Sequence, residues 1–307
     1  MLAYAIVAGI LFGLYFSLVG IGLNLVFGVM RIVNLAHGDF LMLGAFVAFW
    51  LYTLTGIDPL YAVLISLVVF LLVGLVLYPL LVPRLQKSKD PEMLSIILFF
   101  GLSQVIEACV TIAFGTSERS IPSIQLGSSV FAALGKIFGL DPDPGPVSVL
   151  GQSFPSPWVV SAVVSVIAIG LVYVYLYRTR LGTLTRAVMS RRDEALASGI
   201  NVDRVSAAAF GIGLALAAIA GVFAPFMFGS ITPAFGVDAT VTSFVIVVLG
   251  SLGNPLGTAI GGIVYGVSYM LVQTYLSSWA DLLPYVLLIA ILLLRPSGIL
   301  GRRVRVA

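Results

Sequence analysis

The sequence predicts an all-α polytopic membrane protein, a single transmembrane domain over 1–307, on three observations. Hydrophobic residues make up 60% of the 307 and charged residues only 9%, where a soluble domain carries roughly 25% charged residues. The apolar residues fall in long runs, several long enough to cross a hydrocarbon core of about 30 Å as helices. The basic residues are clustered: thirteen of sixteen Lys and Arg lie in 84–93, 178–204 and 295–305, while 116–155 holds only Arg119 and Lys136. Because positively charged loops stay inside, the three basic stretches are expected in the cytoplasm and 116–155 outside. Basic residues this sparse speak against a nucleic-acid partner. The single cysteine, Cys109, excludes an internal disulfide or a Cys-based metal cluster and reads as inert packing in its apolar run.

Eight or nine passes follow in order. The first helix covers about 3–29; it lacks a basic leader and is too long for a signal core, so 1–29 is expected to stay in the membrane. The second covers about 39–56, stopped by Gly56 and Pro59, and the third about 60–83, ended by Pro83. A charged turn leads to the fourth, about 94–114. Segment 116–155, rich in Gly, Pro and Ser, holds no spanning run. Helices at about 157–177 and 206–229 flank the charged piece 178–204; runs at about 238–250, 256–276 and 282–295 complete the chain. The run 238–250 would reach only about 20 Å at 1.5 Å per residue, so it reads as a half-helix starting inside the membrane.

The most informative stretch is Arg31-Ile32-Val33-Asn34-Leu35-Ala36-His37-Gly38-Asp39, a polar knot between two apolar runs that holds the chain's one histidine. Charged groups at membrane depth are costly and sit there for a reason, and Gly38 suggests an interrupted helix. Phe235-Gly236-Val237-Asp238 repeats the pattern before a second apolar half. Paired broken segments of this kind point to a transport site near mid-membrane.

Asp39 and Asp238 each begin a helical run, where a carboxylate can cap free N–H groups; alternatively, these starts border a permeation path able to receive an anionic group. His37 reads as structural or path-lining, since a lone histidine offers no metal site and no evident proton chain. Glu107, with Gln104 one turn before it, should face protein or water and serves either as a local anchor or as a substrate contact.

Small residues at Gly9/Gly13, Gly213/Ala217/Gly221 and Gly253/Gly257/Gly261 allow close helix approach, within one bundle or at a seam with a second subunit. In 178–204, Arg186, Arg191, Arg192, Asp193 and Glu194 lie on a short helical stretch closed by Gly199, and Asp203 is a plausible N-cap for the next helix. Such a charged helix between spans suits docking to a cytoplasmic protein or simply sets topology. No Walker A loop, Gly-x-Ser-x-Gly elbow or His-Glu-x-x-His pair occurs, so the expectation is a non-enzyme without a cofactor of its own.

The residues then resemble a family. Gly22-Leu23-Asn24-Leu25-Val26-Phe27-Gly28-Val29-Met30, running into the knot and Phe40, is similar to the signature of LivH-type permeases, membrane subunits of ABC importers for branched-chain amino acids. Ser198-Gly199-Ile200-Asn201-Val202-Asp203-Arg204-Val205, Val247-Val248-Leu249-Gly250-Ser251-Leu252-Gly253-Asn254-Pro255-Leu256-Gly257 and Leu294-Arg295-Pro296-Ser297-Gly298-Ile299-Leu300-Gly301 follow in family order. Nine passes, with the basic 295–305 inside, put Met1 outside and Ala307 in the cytoplasm, and the resemblance implies a bacterial inner-membrane permease. It also implies a second, LivM-like permease, two cytoplasmic ATPases carrying ATP and Mg, and a periplasmic solute-binding protein as partners. The stretch around Arg186–Gly199 becomes the coupling helix, and the knot, with Asn34, His37, Gly38 and Asp39, lies along the substrate path; Glu107, Phe235 and Asp238 are further path candidates on the reading of the residues alone. Two features depart from the pattern: 116–155 is long, and Glu107 stands where a neutral amide is expected. Permeases for urea, short amides or aromatic acids in the same family are the alternative, and a proton-coupled secondary transporter, an intramembrane enzyme and a structural subunit are the other classes.

Overall fold

The computed structural model describes residues 1–122, 126–127, 145–295 and 297–301; Lys136, Pro296, Arg302, Arg303, Arg305 and Ala307 lie outside them. Helices α1 (Leu2–Met30), α2 (His37–Thr55), α3 (Ala62–Gln86) and α4 (Pro91–Phe114) come first. A hairpin of β1 (Val147–Val149) and β2 (Gln152–Phe154) precedes α5 (Ser156–Arg178), α6 (Arg180–Ser190) and α7 (Arg192–Ala197). Then follow α8 (Val202–Phe228), α9 (Phe235–Gly250), α10 (Pro255–Tyr275) and α11 (Leu283–Leu294), the last entered through a 3-10 turn. Among the described residues, eight helical segments are long and apolar enough to cross a membrane, and α9 is a shorter apolar helix. The protein is thus an all-α multi-pass membrane protein.

Helices α1 and α8 are apolar on every face and form the centre, with about four-fifths of their most apolar stretches buried. Helix α1 packs on α10 as α8 packs on α3, α2 lies against α8, α9 lies against α1, and α2 meets α9. The order α1–α2–α3 is therefore repeated by α8–α9–α10. Close backbone approach makes these seams. A Cβ on Gly13 would fall 2.6 Å from Ile263 Cα, and one on Gly44 2.1 Å from the Ala218 carbonyl oxygen. All three small-residue stripes are used within the chain: Gly9 and Gly13 face α10, Gly213 and Gly221 face α1 and α2, and Gly257 and Gly261 face Gly250. Such contacts replace the hydrophobic drive that lipid removes.

Two ends are distinguishable. Met189 of α6, Gly28 near the end of α1 and Gly253 after α9 adjoin one another; Gln86 at the end of α3 accepts from Arg192, and the Ile299 N–H donates to the Leu249 carbonyl. This end gathers the described basic stretches. The other end holds the β-hairpin, with Phe154 stacked on Tyr4 (4.9 Å), and the Arg119–Ile231 backbone bridge.

Several boundaries differ from expectation. Pro83 does not end α3: Pro79 and Pro83 both lie inside it and the helix continues to Gln86. Proline inside a membrane helix is tolerated because neighbouring groups can re-satisfy the backbone groups it releases. Asp203 does not cap α8. Asn201 does, accepting from the Arg204 N–H (3.0 Å), while Asp203 accepts from the Tyr78 hydroxyl (3.1 Å). The single charged helix expected in 178–204 is two, α6 and α7, broken at Arg191, whose backbone is extended. Cys109 is exposed on the surface of α4 rather than packed.

Candidate functional site

The knot is a re-entrant turn. Arg31 ends α1 in the left-handed region (φ 53°), its N–H donating to the Phe27 carbonyl. Asn34 then bends the chain, its Oδ1 accepting from the Ala36 N–H (3.1 Å), as short polar side chains do in turns. Helix α2 starts at His37, and Nε2 of His37 donates to the Val19 carbonyl (3.1 Å). Val19 lies eleven residues before the end of α1, about 16 Å of helix, so α2 begins deep inside the bundle. His37 therefore acts as a structural donor, leaving Nδ1 unpartnered among the described residues. In the second half α9 likewise begins at Phe235 after a turn at 229–234.

The two starts touch. A Cβ on Gly38 would lie 2.0 Å from the Gly236 carbonyl oxygen and 2.5 Å from Thr240 N and Oγ1; one on Gly236 would lie 2.4 Å from Asp39 Oδ1. Neither Asp39 nor Asp238 caps its helix: the residues before α2 and α9 are Ala36 and Ala234, with no side-chain cap. The free N–H of Gly38 instead donates to the Thr240 hydroxyl (2.9 Å), whose own proton is within reach of the Leu35 and Gly236 carbonyls (both 3.0 Å). Thr240 was invisible to sequence reasoning because its partner is 202 positions away.

Asn34, His37 and Asp39 are fully buried. Both carboxyl oxygens of Asp39 lack a hydrogen-bond partner among the described residues; Ser103 and half-buried Glu107, on α4, are its polar neighbours. A buried carboxyl whose nearest polar neighbours are a serine hydroxyl and a second acid serves through its shape and polarity more than through its charge. Asp39→Ala is expected to lower the initial uptake rate several-fold at unchanged membrane level, with Asp39→Asn restoring most of it; wild-type uptake by Asp39→Ala would remove the knot from the mechanism.

A cavity of about 520 Å³ adjoins this meeting point. Val19 and Leu41 line it on the knot side, and Phe235 and Asp238 reach it from α9. Asn34, His37, Gly38, Asp39 and Glu107 do not line it. Sequence reasoning missed Tyr15, Tyr265, Tyr269 and Asp281, which do. The four-residue spacing of Tyr265 and Tyr269 and the isolated acid before the last helix were the available signals.

The family model for the permease component of branched-chain amino acid transport systems matches residues 5–292. The chain belongs to this permease family. The high-affinity branched-chain amino acid transport system permease protein LivH of Escherichia coli K12 is 30% identical over 301 residues, covering 96% of this chain and 94% of its own. LivH of Salmonella typhimurium is 29% identical over the same coverage. The permease protein BraD of Pseudomonas aeruginosa is 29% identical over 306 residues, covering 97% and 95%. No solved structure matches the chain.

In this family member the charged segment forms a second surface. Thr179 caps α6, accepting from the Gly182 N–H (3.0 Å). Arg186 lies over the Tyr177 ring, 4.7 Å from its centroid. Arg191 and Glu194 form an exposed ion pair that holds the guanidinium above its usual pKa, and Asp193 is exposed beside them. Gly199 (φ 81°) lets α7 close, the Ile200 N–H donating to the Ala195 carbonyl (3.1 Å). Arg192 is turned inward and donates to Gln86 Oε1 (2.7 Å). A hollow of about 350 Å³ lies between α7 and the start of α8, lined by Arg192, Asp193 and Leu196 with Asn201 and Asp203.

Proposed function

We propose that this chain is a permease subunit of an ATP-driven ABC importer that carries branched-chain or other small amino acids across a bacterial inner membrane. It would pair with a LivM-like permease, receive substrate from a periplasmic binding protein, and rest on two cytoplasmic ATPases that bind ATP and Mg. The basic end and Ala307 then face the cytoplasm. No covalent chemistry falls to the chain, and it holds no cofactor.

One observation carries the reading: two half-helix starts meet inside the bundle beside a cavity, while an exposed charged segment packs against the end of the same central helix. A Cβ on Gly28 of α1 would sit 2.5 Å from Met189 Cε of α6. Movement of α6 is thereby felt at the end of α1, six residues before the re-entrant turn reaches Asn34. ATP-driven closure of the ATPases would push α6–α7, and α1 would pass that motion to the broken helices, opening the path to alternate sides. Substrate names come from the relatives; the wholly apolar Phe16, Val19 and Leu41 in the cavity wall suit an aliphatic side chain.

The test is ATP hydrolysis by the assembled importer in proteoliposomes, titrated with binding protein and candidate ligands. Leucine, isoleucine or valine should stimulate hydrolysis and be taken up, and the isolated chain should accumulate nothing on a pH gradient. Stimulation by urea or short amides alone would move the substrate to that branch of the family. Uphill uptake by the isolated chain would overturn the importer reading.

A further inference from the structure

The cavity beside the broken helices has two chemistries that its apolar lining does not need. Asp238 on α9 and Asp281 in the turn before α11 both line it, both are solvent-exposed, and they are close enough to repel each other. Asp281 also acts electrostatically on Tyr269 of α10. No salt bridge neutralises either carboxylate among the described residues. Tyr15 of α1 lines the same space; its side chain is 1% exposed and its hydroxyl has no hydrogen-bond partner among the described residues. Buried tyrosines ordinarily find a partner for the O–H, so an unpaired one beside a cavity marks a place for a ligand atom. The volume of about 520 Å³ falls in the range of about 300–1,000 Å³ typical of small-molecule sites.

We propose that this cavity seats a zwitterionic amino acid by its ammonium end, with Asp238 and Asp281 holding the cation, the Tyr269 ring beside it, and the Tyr15 hydroxyl donating to the carboxylate. A cation relieves the repulsion between two acids placed at one aromatic wall. Aromatic faces attract the same charge, and an ammonium offers three donors to the carboxylates. Phe16, Val19 and Leu41 remain for an aliphatic side chain. The polarity is opposite to the one the helix starts suggested: the acids receive the positive end, and the anionic end is left to Tyr15. The site deepens the amino-acid reading above and rests on it for its substrate class.

The native cysteine is unique, which permits a direct test in the assembled importer. In a Cys109→Ala background, Val241→Cys places a thiol on the cavity wall. A cationic methanethiosulfonate should label it faster than an anionic one, and Asp238→Asn/Asp281→Asn should abolish that preference. L-leucine and isopentylamine should protect the thiol, whereas 4-methylpentanoate, which lacks the ammonium, should not. The double variant should weaken protection by leucine about tenfold or more, the loss expected for a charge-assisted contact. Tyr15→Phe should weaken protection by leucine and leave that by the amine unchanged. Protection by the acid equal to that by the amine, unchanged protection in the double variant, or a thiol that neither reagent labels would each overturn the seat. Leucine uptake alongside such a result leaves the amino-acid reading standing. Amine protection in an importer that takes up no amino acid leaves the seat standing and removes that reading.

Discussion

Gly38→Ala should abolish uptake, because a single methyl group at that position has no room. It would meet the Gly236 carbonyl oxygen at 2.0 Å and Thr240 N at 2.5 Å, both backbone atoms that no rotamer change can move. Overpacking a well-filled interior costs about 1–3 kcal/mol even where side chains can yield; here α2 and α9 must separate and the Gly38–Thr240 hydrogen bond must break. The measurement is leucine uptake normalised to the amount of importer in the membrane, with Gly101→Ala as the control. A Cβ on Gly101 of α4 meets nothing within 4 Å, so that variant should transport normally. Normal transport by Gly38→Ala would mean that the contact between the two half-helices is dispensable.

Reversing charge on α7 should have the second-largest effect. Glu194→Arg breaks the pair with Arg191 at an exposed site, and exposed pairs contribute little to stability. Folding and insertion should therefore survive. Transport and ligand-stimulated ATP hydrolysis should fall together if this surface meets an ATPase. The swap Arg191→Glu/Glu194→Arg separates two explanations: it restores the local pair but not the original charge pattern. Loss of transport in the swap supports docking, and full recovery would reduce the pair to a local helix contact. Arg192→Glu is a weaker probe, because Arg192 also holds Gln86 of α3 and its loss mixes coupling with packing.

The spans were legible because hydropathy is a local property and lipid leaves little alternative to apolar helices. The two interruptions were legible for the same reason: nine residues of 31–39 include Arg31, His37 and Asp39 within otherwise apolar sequence. What satisfies those polar groups was not legible. Asp39 looked like a cap because carboxylates favour helix starts, yet a threonine from the other half takes that role. At α8 two capping-competent residues stood within three positions, and Asn201 rather than Asp203 is used because Tyr78 claims the latter. The cavity required α1, α2, α8, α9, α10 and α11 with the turn before it to converge. Nothing in Tyr15 or Asp281 taken singly announces that meeting.

The hydroxyl that completes the first turn of α2 is placed on the chain 202 residues later. During translation the first re-entrant turn emerges from the ribosome long before the segment that secures it. It must wait, half-formed, at the translocon or in lipid until α9 arrives, so nascent chains released before residue 240 should be prime targets for membrane quality-control proteases. Arrival of α9, rather than insertion of the first helices, should be the moment at which this half of the protein locks.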